Sequence, residues 1–154
     1  MYGANDGIIT TFAVVAGAAG ANLSTPIIVM LGVANLLADG FSMGASSYLA
    51  KRSEQELDPS HNAASPLSGG LITFGAFVVA GSLPLLPFLV LGTTSNVFLI
   101  STIGAGLAFF LVGSARALVL PKHPFIAGLE MFAVGAVASL IAYAIGGFVE
   151  QLLR

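Results

Sequence analysis

The sequence predicts an all-α integral membrane protein with five transmembrane helices per subunit. Three observations predict it. First, 56% of the residues are hydrophobic and only 8% are charged, whereas a soluble domain carries about 25% charged residues. So few charges cannot cover a surface facing water, and the mean hydropathy is +0.97. Second, the charges are clustered. None lies between Asp6 and Asp39, between Asp58 and Arg116, or between Glu130 and Glu150. A helix needs about 20 apolar residues to cross the hydrocarbon core, so the first and last gaps hold roughly one span each and the middle gap roughly two. Third, the apolar runs are separated by proline-rich, glycine-rich or polar breaks.

The expected spans follow in order, and residues 1–154 are read as one transmembrane domain. The first covers about 2–21. It lacks the basic flank of a cleavable signal and is expected to stay in the protein. The second covers about 25–50, with Pro26 suited to an early helical position. Residues 51–65 are expected to form a short cytosolic loop carrying Lys51, Arg52, Glu54, Glu56, Asp58 and His61. The third span covers about 66–90, where Pro84 and Pro87 should kink the helix or end it early. The turn Gly92-Thr93-Thr94-Ser95-Asn96 leads to a fourth span, about 97–120. Pro121 and Pro124 then mark a break before a fifth span, about 125–149.

Lys51 and Arg52 follow the second span, and Arg116 and Lys122 fall at the end of the fourth. The positive-inside rule puts that side in the cytosol. The N-terminus is then expected inside and the C-terminus outside or lumenal. Asn22-Leu23-Ser24 matches a glycosylation sequon on the outer side, although chance is the plainer reading of so short a motif. Cysteine is absent, which removes disulfides and thiolate metal sites, and the net charge of −2 argues against nucleic acid as a partner. His61 and His123 fall in expected loops without ligand-spaced partners, and no nucleophile–base pair or phosphate loop is present. An enzyme is therefore not expected.

Small residues recur four apart: Ala13, Gly17 and Ala21, then Ala16 and Gly20, in the first span, and Gly40 and Gly44 in the second. Such faces let helix backbones approach closely in lipid. The pattern serves packing within one subunit and contact between subunits equally well.

Ionisable groups inside a span cost about 2.5–3.5 kcal/mol each on insertion scales, so each is a site candidate. Asp39 lies near the middle of the second span, with Asn35 four residues before it, Met43 four after and Ser47 four further on. Steps of four keep these side chains on one slowly drifting helical face. That face offers an amide, a carboxylate, a thioether and a hydroxyl. The oxygens can replace water around a divalent cation, and the thioether suits a softer transition metal better than Mg2+ or Ca2+. Packing is the ordinary role of a methionine, and Asp39 could also bond a neighbouring helix. Asp6 could cap the first helix or lie inside the path, with Thr10 one turn on. Glu130 is either favoured by the N-terminal dipole of the last helix or a further path residue. Glu54, Glu56 and His61 form an acidic cytosolic segment that is either solvated loop or a metal-gathering one. Asp6 and Asp39, repeated by a dimer axis, would form a usable cation path.

The segment Tyr2-Gly3-Ala4-Asn5-Asp6-Gly7-Ile8-Ile9-Thr10-Thr11-Phe12-Ala13 resembles the vacuolar iron transporter family of plants, yeast and bacteria. Asp39-Gly40-Phe41-Ser42-Met43-Gly44 and Tyr48-Leu49-Ala50-Lys51-Arg52-Ser53-Glu54 extend the resemblance, and Pro84-Leu85-Leu86-Pro87 and Ala142-Tyr143-Ala144-Ile145-Gly146 agree more weakly. The resemblance implies a homodimer of five-helix subunits whose ion path lies at the subunit interface, lined by the first two helices. It implies Fe2+, sometimes Mn2+, as transported substrate, leaving the cytosol in exchange for H+, with no permanently bound cofactor. The membrane would be a bacterial cell membrane or a vacuolar or other endomembrane. The family's acidic residue of helix one falls on Asp6 and its helix-two methionine on Met43. The helix-two glutamate common in eukaryotic members falls on Asn35, and Asp39, one turn later, is expected to take over its role. Eukaryotic members carry a long glutamate-rich metal-binding domain where this chain has only residues 51–65. Family members usually have more residues ahead of the first motif, so a shortened form is expected.

Overall fold

The computed structural model describes residues 2–58, 65–92, 96–119 and 121–154. His61 lies outside them. The described residues form six α-helices: α1 (Tyr2–Gly20), α2 (Thr25–Leu57), α3 (Pro66–Ser82), α4 (Leu86–Leu91), α5 (Val97–Ala115) and α6 (Pro124–Leu153). A 3-10 turn, Arg116–Leu118, follows α5, and no strand occurs among the described residues. Among the described residues, three helices are long and apolar enough to cross a membrane: Thr25–Leu57, Val97–Leu118 (α5 with its 3-10 turn) and Pro124–Leu153. α3 is apolar but shorter, at 17 residues.

α1 is the central helix and packs against α2, α3, α5 and α6. Its Ile8, Phe12 and Val15 meet Phe77 of α3, Leu36 of α2 and Phe109 of α5 in one apolar core. Phe12 and Phe109 meet edge to face, with ring centroids 6.0 Å apart. Outward faces stay apolar, as Phe41, Val79, Val90, Leu140 and Phe148 show by their exposure. Patches of this extent are rare on a protein bathed in water and ordinary against lipid.

The turn after α1 is built by Asn22 at φ 52. The Leu23 amide donates to the Ala18 carbonyl and the Asn22 amide to Ala19, both at 3.0 Å. This pattern closes a helix when the residue past its end turns left-handed, a conformation asparagine tolerates. The local role of Asn22 is therefore structural.

The stretch expected as a loop from residue 51 is helical through Leu57. Lys51, Arg52, Glu54, Gln55 and Glu56 are good helix formers, and Arg52 pairs with Glu56 one turn on at 3.1 Å. With 33 residues, α2 is roughly 50 Å long, more than the about 30 Å of a hydrocarbon core. Its charged last turns can stand clear of lipid. The third expected helix is broken as its prolines require, and Leu83–Leu85 form the turn between α3 and α4. Pro84 has no amide to continue the helix. Its free carbonyl is taken by the buried Ser101 hydroxyl of α5 at 2.7 Å. The fourth expected helix ends at Ala115 rather than 120, where the chain tightens into the 3-10 turn. The last helix starts at Pro124, capped by the His123 ring, and runs to Leu153.

The small-residue faces pack within the subunit. A Cβ at Gly20 would collide with the Tyr143 carbonyl of α6, and one at Gly146 with the Gly17 carbonyl of α1. A Cβ at Gly44 of α2 would press on the Gly70 carbonyl and Phe74 of α3. Glycine lets these backbones touch.

Candidate functional site

The buried stripe of α2 runs Ile28, Gly32, Leu36, Gly40 and Gly44. Asn35, Asp39 and Met43 each precede a member of that stripe by one residue. They are therefore rotated about 100° from it, at the border between the packed and outward faces. Asn35, Asp39, Met43 and Ser47 are all half-buried. The Asn35 amide nitrogen is buried without a hydrogen-bond partner.

α1 brings Asp6 to the same region. Asp6 is half-buried between the buried residues Gly3 and Gly7, where α1 lies close against Thr73 and Phe77 of α3. Asp39 stands on α2, which packs against α1. The two acids thus come from two helices in contact. The Thr10 hydroxyl donates to the Asp6 backbone carbonyl at 2.9 Å, so its proton is engaged in the helix itself.

Two pockets open near these helices, one at Asp6 and one at Met43, and Asp39 lines neither. One, of about 460 Å3, is lined by Asn5 and Asp6 of α1, by Arg116, and by Glu130 and Met131 of α6 among others. The other, of about 300 Å3, holds Met43 and Ser47 together with Ser42, Ser46 and Thr73. Tyr2 lines both. In the second pocket the Thr73 hydroxyl donates to the Gly69 carbonyl at 2.9 Å and lies 3.2 Å from the Ser47 hydroxyl, joining α3 to α2. Oxygen donors and one thioether line its wall, a set suited to a partly hydrated transition metal.

The structure thus brings Met43 together with Ser47, and Asp6 with Glu130. Glu130 is the seventh residue of α6, beyond the first turn in which the helix dipole acts. It pairs instead with Lys122, whose Nζ lies 3.0 Å from both carboxylate oxygens. Glu54 and Glu56 sit on the exposed end of α2, away from both pockets. Glu56 accepts from Arg52, which also donates to the Tyr48 hydroxyl at 3.2 Å. No group of three acidic or histidine side chains able to hold a metal forms among the described residues.

Sequence reasoning missed several wall residues. Ser42 and Ser46 carried a signal, being polar and four apart in an apolar run. Thr73 and Asn5 carried little, and Arg116 entered only the topology count.

The chain matches the family model described as VIT family over residues 1–61 and 52–147. It is similar to the vacuolar iron transporter of Toxoplasma gondii, 46% identical over 56 residues, which is 36% of this chain and 18% of that protein. It is likewise similar to the vacuolar iron transporter of Plasmodium berghei, 43% identical over 54 residues, which is 35% of this chain and 20% of that protein. The chain thus spans about a fifth of the length of these relatives. Vacuolar iron transporter 2 of Oryza sativa subsp. japonica aligns across 99% of this chain and 87% of its own length, at 23% identity over 214 residues. That alignment is longer than the 154 residues of this chain, so the rice protein carries segments this one lacks.

Proposed function

The chain belongs to the VIT family, and from that premise we propose that it carries a divalent transition metal, Fe2+ first, out of the cytosol in exchange for protons. The observation that supports this reading most is the half-buried polar face of α2, Asn35, Asp39, Met43 and Ser47, on a helix that packs against the α1 bearing Asp6.

In this reading α1, α2, α3 with α4, α5 and α6 make five crossings, with the N-terminus in the cytosol and the C-terminus outside or lumenal. The membrane is a vacuolar or other endomembrane, or a bacterial cell membrane. Two copies meet on the face of α1 and α2 that bears Asp6, Asn35, Asp39 and Met43. A carboxylate left facing acyl chains costs about 2.5–3.5 kcal/mol, and a second copy would replace lipid there with a polar, partly hydrated seam.

Fe2+ sheds part of its water and is passed among Asp6, Asn35, Asp39 and Met43. A dication satisfies both carboxylates at once. When it leaves, protons take its place, because two bare carboxylates repel. Counterflow follows from that alternation. Thr10 and Ser47 serve as lesser wall groups.

Uptake of Fe2+ into proteoliposomes under an imposed pH gradient tests the proposal. Metal flux that dissipates the gradient is expected, and Asp39→Asn should abolish flux or its coupling to protons. Unchanged flux and coupling in Asp39→Asn would sink the assignment of Asp39. No flux at all would favour a non-transporting membrane scaffold. Side-by-side flux of Fe2+ and Mn2+ decides between an iron carrier and a manganese carrier on the same scaffold.

A further inference from the structure

Glycine contacts hold α6 against two different helices. In its first half, Gly128 and Gly135 lie against the Phe110 and Phe109 rings of α5, and Gly113 of α5 lies against the Ala127 carbonyl. In its second half, Gly146 meets the Gly17 carbonyl of α1, and Gly20 of α1 meets the Tyr143 carbonyl. α6 therefore leans from α5 to α1 along its length. A cleft of about 410 Å3 stays open where the three helices diverge. The buried side chains of Phe12, Ala16 and Phe109 line its depth, and Gly106 and Ala136 are too small to fill it. Closing it would require the glycine-tied backbones to part.

The cleft opens between two helices long and apolar enough to span a membrane. Phe132, Leu140 and Tyr143 line it and stay exposed, so its mouth is continuous with the outward apolar surface. Its wall holds few polar groups. The Thr102 hydroxyl donates to the Phe98 carbonyl of its own helix at 2.8 Å, and the Ser139 hydroxyl to the Gly135 carbonyl at 2.6 Å. Water needs several polar partners to occupy a cavity, and this wall offers no cluster of them. The Tyr143 ring stacks on Phe98 at 6.1 Å between centroids, bridging α6 to α5 at one end.

Length and width select the occupant. Phe132 and Tyr143 are 11 positions apart on α6, which is roughly 16 Å of helix. Half of a hydrocarbon core of about 30 Å is the same depth. A helix is about 10–12 Å across with its side chains, so another chain could insert only single side chains. An acyl chain is thin enough to lie along the whole cleft.

We propose that the cleft between α1, α5 and α6 is a binding site for one acyl chain of a bilayer phospholipid. The chain lies against Phe12 and Ala16, and the amphipathic Tyr143 stands at the end where an aromatic side chain suits the membrane interface. Binding there is independent of metal transport.

The test is native mass spectrometry of the purified full chain in detergent, supplied with palmitoyl-oleoyl phosphatidylcholine. The unaltered chain should retain one phospholipid. Ala136→Phe, which fills the cleft from α6, and Gly106→Leu, which fills it from α5, should each lose it. Val137→Phe, one residue on and exposed outside the cleft, should keep it. The phospholipid should raise the unfolding midpoint of the unaltered chain and of Val137→Phe, but not of the filled variants. Helical circular dichroism shows which filled variant is folded, and if Ala136→Phe fails to fold, Gly106→Leu decides. No retained phospholipid on the unaltered chain overturns the proposal. So does retention by a folded filled variant, which would mark the lipid as loosely annular, or preference for cholesterol or detergent over the phospholipid.

Discussion

Asp6 on α1 and Asp39 on α2, 33 positions apart in the chain, stand on two helices that pack against each other. Groups that hold one ion together act as a unit, and their losses do not multiply. Asp6→Asn and Asp39→Asn should each lower metal flux by about tenfold or more, and the double variant should be little worse than the weaker single. Flux in proteoliposomes, normalised to reconstituted protein, is the measurement. Multiplicative losses would mean that the two acids act at independent steps.

The contact between Gly20 and the Tyr143 carbonyl yields a stability prediction. Gly20→Val should destabilise by about 1–3 kcal/mol or more, since backbone rather than a yielding side chain opposes the new atoms. Gly104 makes the contrast, because a Cβ there meets nothing within 4 Å. Gly104→Ala should stabilise by up to about 1 kcal/mol through helix propensity. Thermal unfolding in detergent should move in opposite directions for the two.

Ser101 closes the Pro84 break from the neighbouring helix. Its hydroxyl is fully buried, so Ser101→Ala leaves a buried carbonyl unsatisfied. The expected cost is about 1–3 kcal/mol, read as a lower unfolding midpoint. Ser82→Ala, which removes an exposed hydroxyl bonded within its own helix, should fall within about 0.5 kcal/mol of the unaltered protein.

Glu54 and Glu56 should matter little to metal capture. Glu56 is engaged by Arg52, and both acids are exposed on the last turns of α2. Glu54→Gln with Glu56→Gln should leave the metal concentration for half-maximal flux within about twofold, because exposed charges are screened. A larger rise would show that this end of α2 gathers metal despite the pairing.

Much of the fold was legible because it is local. Charge-free runs marked the apolar helices, and Pro84 placed the break between α3 and α4. The extension of α2 to Leu57 was missed because charged residues were read as loop, although lysine, arginine and glutamate favour helix as strongly as most apolar residues do. The four-residue spacing from Asn35 to Ser47 was equally legible, since one helix sets the direction of its own side chains.

The sequence by itself determined the class of solvent, the helices and the polar stripe of α2, all properties of residues near one another in the chain. Only the tertiary structure decided which helices meet. It turned the Gly17 and Gly20 face towards α6 of the same subunit, and put Glu130 and Arg116 into the Asp6 pocket. The physical reason is that small-residue faces are interchangeable in sequence. Which one another backbone fills depends on the shapes of all the helices packed together.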